Sequence, residues 1–540
     1  MDLKISPFDV IGLPEADAIQ LQELIEIYDA HQTSNDLKDL YYDGDIPLGR
    51  VNLGIALPEN FKGLEIGCSW GEKTVDVLAS RSMFDGFVGQ DGDAIDQLDD
   101  IVRENDFVSQ YDSARVDELK YGFTCATLSA DSSIGCKIRF HSPCTAAAKW
   151  NGEKNRIACG FAIIDTVSDE SEENKWVPSI VNYYTDDSLW VLNRVDGDWY
   201  ATKHKNKLGR PMMEALIWNP TSQKPLGQSR LKSKIRYMID GYIRTVANAT
   251  IGLEFSTTPQ KYILGVTDDQ YDVLIDSKFQ QYIGNILAAT ANPETGTNPV
   301  FGQLAQGSLA PHVEMLRMLS TQFSAATGLT VTDTGVVNDA NPTSSDAILA
   351  QSQTLIALAE KMNTRNGTAL KNIALMALAI ANDTTIENLP DDTKEIVAHF
   401  RNPAMPSVAV TADAAIKIAS VRQNFSNTDV FLEMLGFSKA DIRRIKAQEQ
   451  RARGATSLLQ MEDDSNNGGG NTPTEQIDVA EAVEAAEETA KRTLNGAQTQ
   501  SLIAVIGQFA SGSLTENQAA NIISTSIGIS RDEALDLLKA

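Results

Sequence analysis

The chain has 540 residues, 42% apolar and 22% charged, which is too many for one ordinary core and too apolar for global disorder. Lys and Arg number 46 against 73 Asp and Glu, a formal net charge of −27, which excludes a protein that wraps the outside of DNA with a basic surface. No apolar run reaches the roughly 18 residues of a membrane span, the best being Ile373 to Ala381, and no secretory signal is expected from MDLKISPFDVIGLPEAD.

In chain order, the first forty residues predict a helix, with Leu21, Leu24, Ile25 and Tyr28 at i, i+3, i+4 and i+7. A second helical stretch is expected from about Ile95 to Asp117, carrying Leu98, Ile101, Val102 and Val116. The section from Gly122 to Tyr200 has a different pattern. Gly122–Ser129, Lys137–Ser142, Arg156–Thr166, Ser179–Thr185 and Ser188–Arg194 are short runs separated by Gly, Asp, Asn and Pro, as in an antiparallel meander. An α+β domain over about residues 1–220 is the expectation.

Gly227 to Ala249 predicts a helix with Leu231, Ile235, Ile239, Tyr242 and Val246 on one stripe. An extended Pro259–Val266 and a Gly/Pro/Asn-rich 292–307 follow, then a helix Ala310–Thr327 and a loop Gly328–Ser345. A long helix from about Ser344 to Ala381 comes next, with Gly367 as its cheapest place to bend. Glu395–Arg401 reads as a strand, and the chain is helical again to about Arg453. Met461–Gln476 has the composition of a flexible acidic linker, and short helices are expected beyond it.

Candidate chemistry is sparse. Leu64–Gly71 (LEIGCSWG) is similar to the first motif of Rossmann-type methyltransferases, but Ser69–Trp70 stand where a glycine is usual. Gly71-Glu72-Lys73-Thr74 has Glu72 at the obligatory glycine of a P-loop. Cys136, His141, Cys144 and Cys159 are the one candidate zinc set, at spacings that match no common pattern. Cys68 brings the cysteines to five without C-x-x-C spacing, which fits a reducing compartment better than a disulfide scaffold. Asp464, Asn466, Gly469 and Glu475 approach EF-hand spacing, with Pro473 interrupting it. No catalytic constellation is expected, and no cofactor. Arg230, Lys232, Lys234 and Arg236 form a basic run in an acidic chain, either a solvated face or a set of weak phosphate contacts.

Several segments, in order, resemble the portal proteins of tailed bacteriophages, of the long-tailed type. They are Leu40–Gly44 (LYYDG), Trp70–Phe87, Pro225–Thr245 (PLGQSRLKSKIRYMIDGYIRT), Pro259–Val266 (PQKYILGV), Gly328–Leu329, Asn341–Ala347 (NPTSSDA) and Phe437–Arg444 (FSKADIRR). The resemblance spans roughly residues 20–455.

It implies a ring of twelve subunits at one capsid vertex, through which double-stranded DNA enters and leaves. The implied fold is α+β and portal-like. It has a wing (1–226), a first stem helix (227–251), a clip (252–307), a second stem helix (308–327), a tunnel loop (328–345), a long kinked helix with the wing return (344–425) and a helical crown (426–460). Residues 461–476 would be the acidic linker and 477–540 a helical extension. By the same resemblance, Val331, Thr332, Asp333, Thr334, Val336, Val337, Asn338 and Asp339 would line the channel constriction. Tyr262, Asp268, Asp269 and Lys278 in the clip would meet the large terminase and later the head-completion adaptor. Capsid and scaffolding proteins would be further partners, the virion the destination and the host cytoplasm the place of synthesis. The alternatives are a methyltransferase-like enzyme centred on Glu65–Gly71 and a helical scaffold that meets no DNA.

Overall fold

The apolar repeat of Leu21, Leu24, Ile25 and Tyr28 lies buried along α1 (Glu15–Asp43), which ends where Gly44 takes a left-handed φ of 81°. The computed structural model describes residues 3, 5–47, 66–89, 96–168, 176–257, 261–265, 267, 296, 298–303, 307–335, 345–404, 408–422, 425–437, 441, 442 and 444–448. The chain divides into two units, Met1–Ile445 and Lys446–Ala540. Only 446–448 of the second are among the described residues, so the acidic linker, the EF-hand-like spacing and the helical extension lie outside them.

After α1 come α2 (Trp70–Ala79), β1 (Phe84–Val88), α3 (Asp96–Glu104) and α4 (Phe107–Tyr121). The one helix expected over 95–117 is therefore two. Asp106 between them sits at φ 49°, a left-handed conformation that no helix continues through.

The next section is the expected meander, with more strands than the pattern showed. β4 (Ala146–Asn151), β5 (Arg156–Ser168), β6 (Trp176–Tyr184), β7 (Ser188–Val195) and β8 (Asp198–Lys205) form a five-stranded sheet in that order. β2 (Phe123–Asp131) lies between β3 (Gly135–His141) and β9 (Met213–Ile217) in a second sheet. Every pairing is antiparallel. Alternation along the large sheet feeds two cores. Phe161, Ile163, Val181, Tyr183 and Trp190 pack with α1, while Ala162, Tyr184 and Leu189 join the opposite core.

The remaining elements are α5 (Ser233–Thr257), β10 (Lys261–Leu264), β11 (Val300–Gln303), α6 (Ala310–Thr327), α7 (Ser345–Ala381), α8 (Asp391–Lys394), β12 (Val397–Phe400), α9 (Val408–Val421) and α10 (Asp429–Met434). β12 returns to pair with β1, setting Phe400 opposite Phe84. α7 is helical without interruption through Gly367. Its C-terminal half, from Ala369 to Ala379, fills the core over the three-stranded sheet. Its N-terminal half joins α2, α5 and α6 in a separate helical core.

One further expectation needs correction. α5 begins at Ser233 rather than Gly227. Gly227 has φ 83° and sits against the carbonyls of Gly122 and Trp218, where a Cβ would collide. Ser229 Oγ then donates to the Lys120 carbonyl at 2.5 Å and the Arg230 amide to the Leu119 carbonyl at 2.9 Å. These bonds tie the segment before α5 to the end of α4, so the helix starts only beyond them.

Of LEIGCSWG, Leu64 and Glu65 lie outside the described residues and residues 66–69 lead into α2; among the described residues no parallel pairing joins two strands, so the parallel strand–helix–strand unit of a cofactor loop is not among them. Gly71 has a packing reason instead. A Cβ there would collide with the carbonyl oxygen of Tyr41 in the last turn of α1.

Candidate functional site at the root of the helical hairpin

α5 and α6 form an antiparallel hairpin. Gly241 lies against Leu319, with a Cβ position 3.3 Å from it, and Gly252 lies 3.5 Å from Leu309 by the same measure, so the pairing runs in opposite directions along the two helices. Leu231, Ile235, Ile239, Ile243 and Ala247 form the buried stripe leading into and along α5, at i, i+4 spacing. Leu319 and Phe323 are the buried apolar side chains of α6. Burying each such large side chain is worth about 1.5–3 kcal/mol.

At the root of the hairpin, Trp70 is 2% exposed. Its ring stacks on Phe323 at 4.5 Å and tilts against Tyr242 at 4.7 Å. Its Nε1 donates to the Thr334 carbonyl at 3.0 Å. Thr334 Oγ1 and Ser320 Oγ are 2.5 Å apart, and the Asp333 carboxylate accepts from the Thr330 amide at 2.9 Å and hydroxyl at 2.8 Å. The turn Thr332–Thr334 is thus tied to α2 and α6 on both sides.

Arg230 closes the root from below. Nε donates to the carbonyl of Thr74 in α2 and Nη2 to that of Thr327, the last residue of α6, both at 2.7 Å. The guanidinium also lies 5.6 Å from the Trp218 ring centroid. Burial lowers its pKa to about 10, so it is still cationic at neutral pH. A cation suits this place, because carbonyls of the last helical turn have no partner within the helix and carry the negative end of its dipole.

This geometry sorts the basic run. Arg230 is 9% exposed and committed to two carbonyls, so it is withdrawn from the candidate phosphate contacts. Lys232 is half-buried, Lys234 exposed, and Arg236 half-buried with its guanidinium 5.8 Å from the Tyr41 ring centroid. Tyr41 Oη in turn donates to Asp240 at 2.7 Å.

Of the residues expected at a constriction, Val331, Thr332, Asp333 and Thr334 form the anchored turn, with Thr334 buried. Val336, Val337, Asn338 and Asp339 lie outside the described residues. Of the residues expected in a clip, Tyr262 is on β10 opposite Gly302, 43% exposed, with its ring over that glycine. Asp268, Asp269 and Lys278 lie outside the described residues.

The four candidate zinc ligands divide between environments. Cys136 is in the core over the three-stranded sheet and Cys159 in the core under α1. His141 meets Thr127 Oγ1 at 3.0 Å, and burial, with Arg139 adding to it, lowers its pKa to about 4. Cys144 is half-buried, and its backbone carbonyl accepts from Tyr28 Oη at 2.7 Å. Among the described residues no group of three His, Cys, Asp or Glu side chains is placed to hold a metal ion, and no helix is long and apolar enough to cross a membrane.

Thr74, Ser320 and Thr327 did not stand out in the sequence, and Trp70 did so only where a glycine is usual. Thr74 and Thr327 anchor through backbone carbonyls, which every residue has, and Ser320 through a single hydroxyl, so no residue type marks them.

Against known proteins, the portal protein of Mycobacterium phage D29 is 22% identical over 463 residues, covering 83% of this chain and 92% of that protein. The portal protein of Mycobacterium phage L5 is 23% identical over 424 residues, covering 75% and 82%. Among solved structures, a chain from the virion of a native gene transfer agent particle aligns with TM-score 0.41 and 14% identity, over 68% of this chain and 89% of that one. A chain from the neck of the empty particle aligns at 0.41 and 13%, over 66% and 87%. The family model described as "Phage portal protein, SPP1 Gp6-like" matches residues 15–455, and the chain belongs to that family of phage head–tail connectors, a structural component of the virion.

Proposed function

We propose that copies of this chain close into a ring, of twelve subunits by the family resemblance, at one capsid vertex, and that double-stranded DNA passes through it during packaging and ejection. The observation that carries this reading is the match to the portal family over residues 15–455, most of the chain. In that ring α5 and α6 would be the stem, and the loop after α6 would reach toward the channel. A passage for a polyanion must not hold it fast, and a net charge of −27 per chain supports a repulsive, slippery lining. Lys232, Lys234 and Arg236 would supply brief phosphate contacts.

The constriction would come from Val331 to Asp339, with the Thr332–Thr334 turn as its fixed base. The segment around Tyr262, with Asp268, Asp269 and Lys278, would meet the large terminase and then the head-completion adaptor. ATP hydrolysis belongs to the terminase in this scheme, since the sequence carries no Walker motif. Complementation of a portal-null phage with a chain lacking Val336–Asp339 tests the conduit: heads that assemble but hold little DNA are expected, and normal phage yield contradicts it.

A further inference from the structure

Beside the hairpin root, α1, the end of α4 and the segment leading into α5 enclose a cleft of about 640 Å³. Its cationic side chains come from separate stretches. Lys38 is on α1, Lys224 is on the approach to α5, and Lys232 and Arg236 flank the helix start, with the His31 imidazole also lining the cleft from α1. No aspartate or glutamate lines it. In a chain of net charge −27 this local reversal of sign is not a background effect.

The cations are also uncompensated. Among the described residues, Lys38, Lys224, Lys232 and Arg236 have no carboxylate within the 4.0 Å of an ion pair. Lys38 Nζ donates instead to Asn35 Oδ1 at 3.0 Å and to the Tyr121 carbonyl at 3.4 Å. Asp39, the carboxylate that acts on Lys38, is taken by Lys120 at 2.9 Å and by Tyr121 Oη at 2.5 Å. Burial lowers the pKa of Lys38, with Arg236 adding to it while Cys144 and Asp39 oppose it. Burial, then Lys234 and Lys224, lower that of Lys232; burial, then Lys38, lower that of His31. Like charges held together in this way are relieved by an anion. α5 adds to the field, because its first turn carries no acidic residue to offset the positive end of the helix dipole.

We propose that this cleft binds a phosphate group, with α1 and the first turn of α5 as its two cationic walls. The inference rests on the reading of Lys232 and Arg236 as phosphate contacts and extends it to a site that His31, Lys38 and Lys224 complete. At about 640 Å³ the cleft is larger than a bare phosphate and has the volume of small-ligand pockets. Tyr28, Tyr121 and Leu226 offer apolar wall for whatever the phosphate is attached to. The phosphate has two sources, the backbone of DNA or a free phosphate or nucleotide.

The test uses the full chain, imaged first for ring assembly, then titrated calorimetrically with pyrophosphate and separately with a short DNA duplex at two salt concentrations. Salt-sensitive binding of pyrophosphate is expected, weakened at least about tenfold in the double variant Lys38→Met/Lys232→Met. Parallel loss of duplex binding assigns the site to the DNA backbone; unchanged duplex binding assigns it to a free phosphate. Should the double variant fold poorly, Lys224→Gln, at an exposed side chain, gives the same reading with a smaller change. Absent pyrophosphate binding, or equal affinity in wild type and variants, overturns the proposal, as does a ring map with a neighbouring copy's carboxylate seated in the cleft. Intact rings with no pyrophosphate binding refute the cleft alone and leave the portal reading standing. Absent rings count against the portal reading, and titration of the monomer still decides the cleft.

Discussion

Arg230 Nη2 donates to the carbonyl oxygen of Thr327 at 2.7 Å, joining the segment that enters α5 to the residue that ends α6. With Nε on Thr74, one side chain fastens α2 to both ends of the hairpin root. Replacing it by Met leaves two buried carbonyls without their charged donor, at a cost of about 2–4 kcal/mol. Lys does not restore the loss, because one ammonium on a flexible stem cannot reproduce the two-donor fork. Urea unfolding checks this: both variants should shift to lower midpoint with unchanged slope, and wild-type stability in Arg230→Lys would show that the charge alone suffices.

Gly71→Ala reverses the usual sign for a helix glycine. Within a helix the change is ordinarily worth about 1 kcal/mol in favour of Ala. Here the new methyl, fixed on the backbone, would meet the Tyr41 backbone carbonyl, so neither group can rotate away and α2 must shift from α1. A loss of about 1–3 kcal/mol is expected despite the propensity gain. A melting temperature at or above wild type would refute the close-approach account.

Glu118 on α4 is buried, accepts from Asn366 Nδ2 on α7 at 2.7 Å, and has its pKa raised by burial to about 8, against the opposing effects of Asn366 and Arg365. The native state therefore binds this proton more tightly than the unfolded chain. Stability from this group is fully present below the ordinary carboxylate range and falls as pH rises toward about 8, by at most about 1.4 kcal/mol per pH unit. Glu118→Gln should flatten the pH dependence of the urea midpoint between pH 5 and 8, and the variant should be at least as stable as wild type at the upper end. An unchanged slope would mean the carboxyl is ionised in the native state.

Charge reversal at Lys232 and Lys234 tests the proposed weak phosphate contacts. Lys234 is exposed and Lys232 half-buried, so the double change to Glu should leave folding intact while lowering DNA packaged or retained per head. Unaltered DNA content in complemented phage would remove these residues from any role in DNA contact.

Much of the helical architecture was legible in the sequence. α6 matches its expected bounds because Pro311 in the first turn and Gly328 just past the end punctuate it at both sides. The long α7 was readable from its sustained apolar period, and the meander from its turn residues. β4, β8 and β9 were not. The run MEALI of β9 is buried at every position and shows no alternation, and the alanines of β4 have little strand preference. The start of α5 was displaced because bonds from Ser229 and Arg230 to α4 override local helix preference. At the candidate site the basic run was visible, yet Arg230 could not be separated from Lys232, Lys234 and Arg236. That distinction depends on where the end of α6 lies, a relation across 97 residues.

Negative-stain imaging of the purified chain tests the central claim most directly. Annular particles with a central hole, of one subunit number, are the predicted result. Monomers alone, or solid oligomers without a perforation, both in isolation and in particles assembled with the coat, would contradict it.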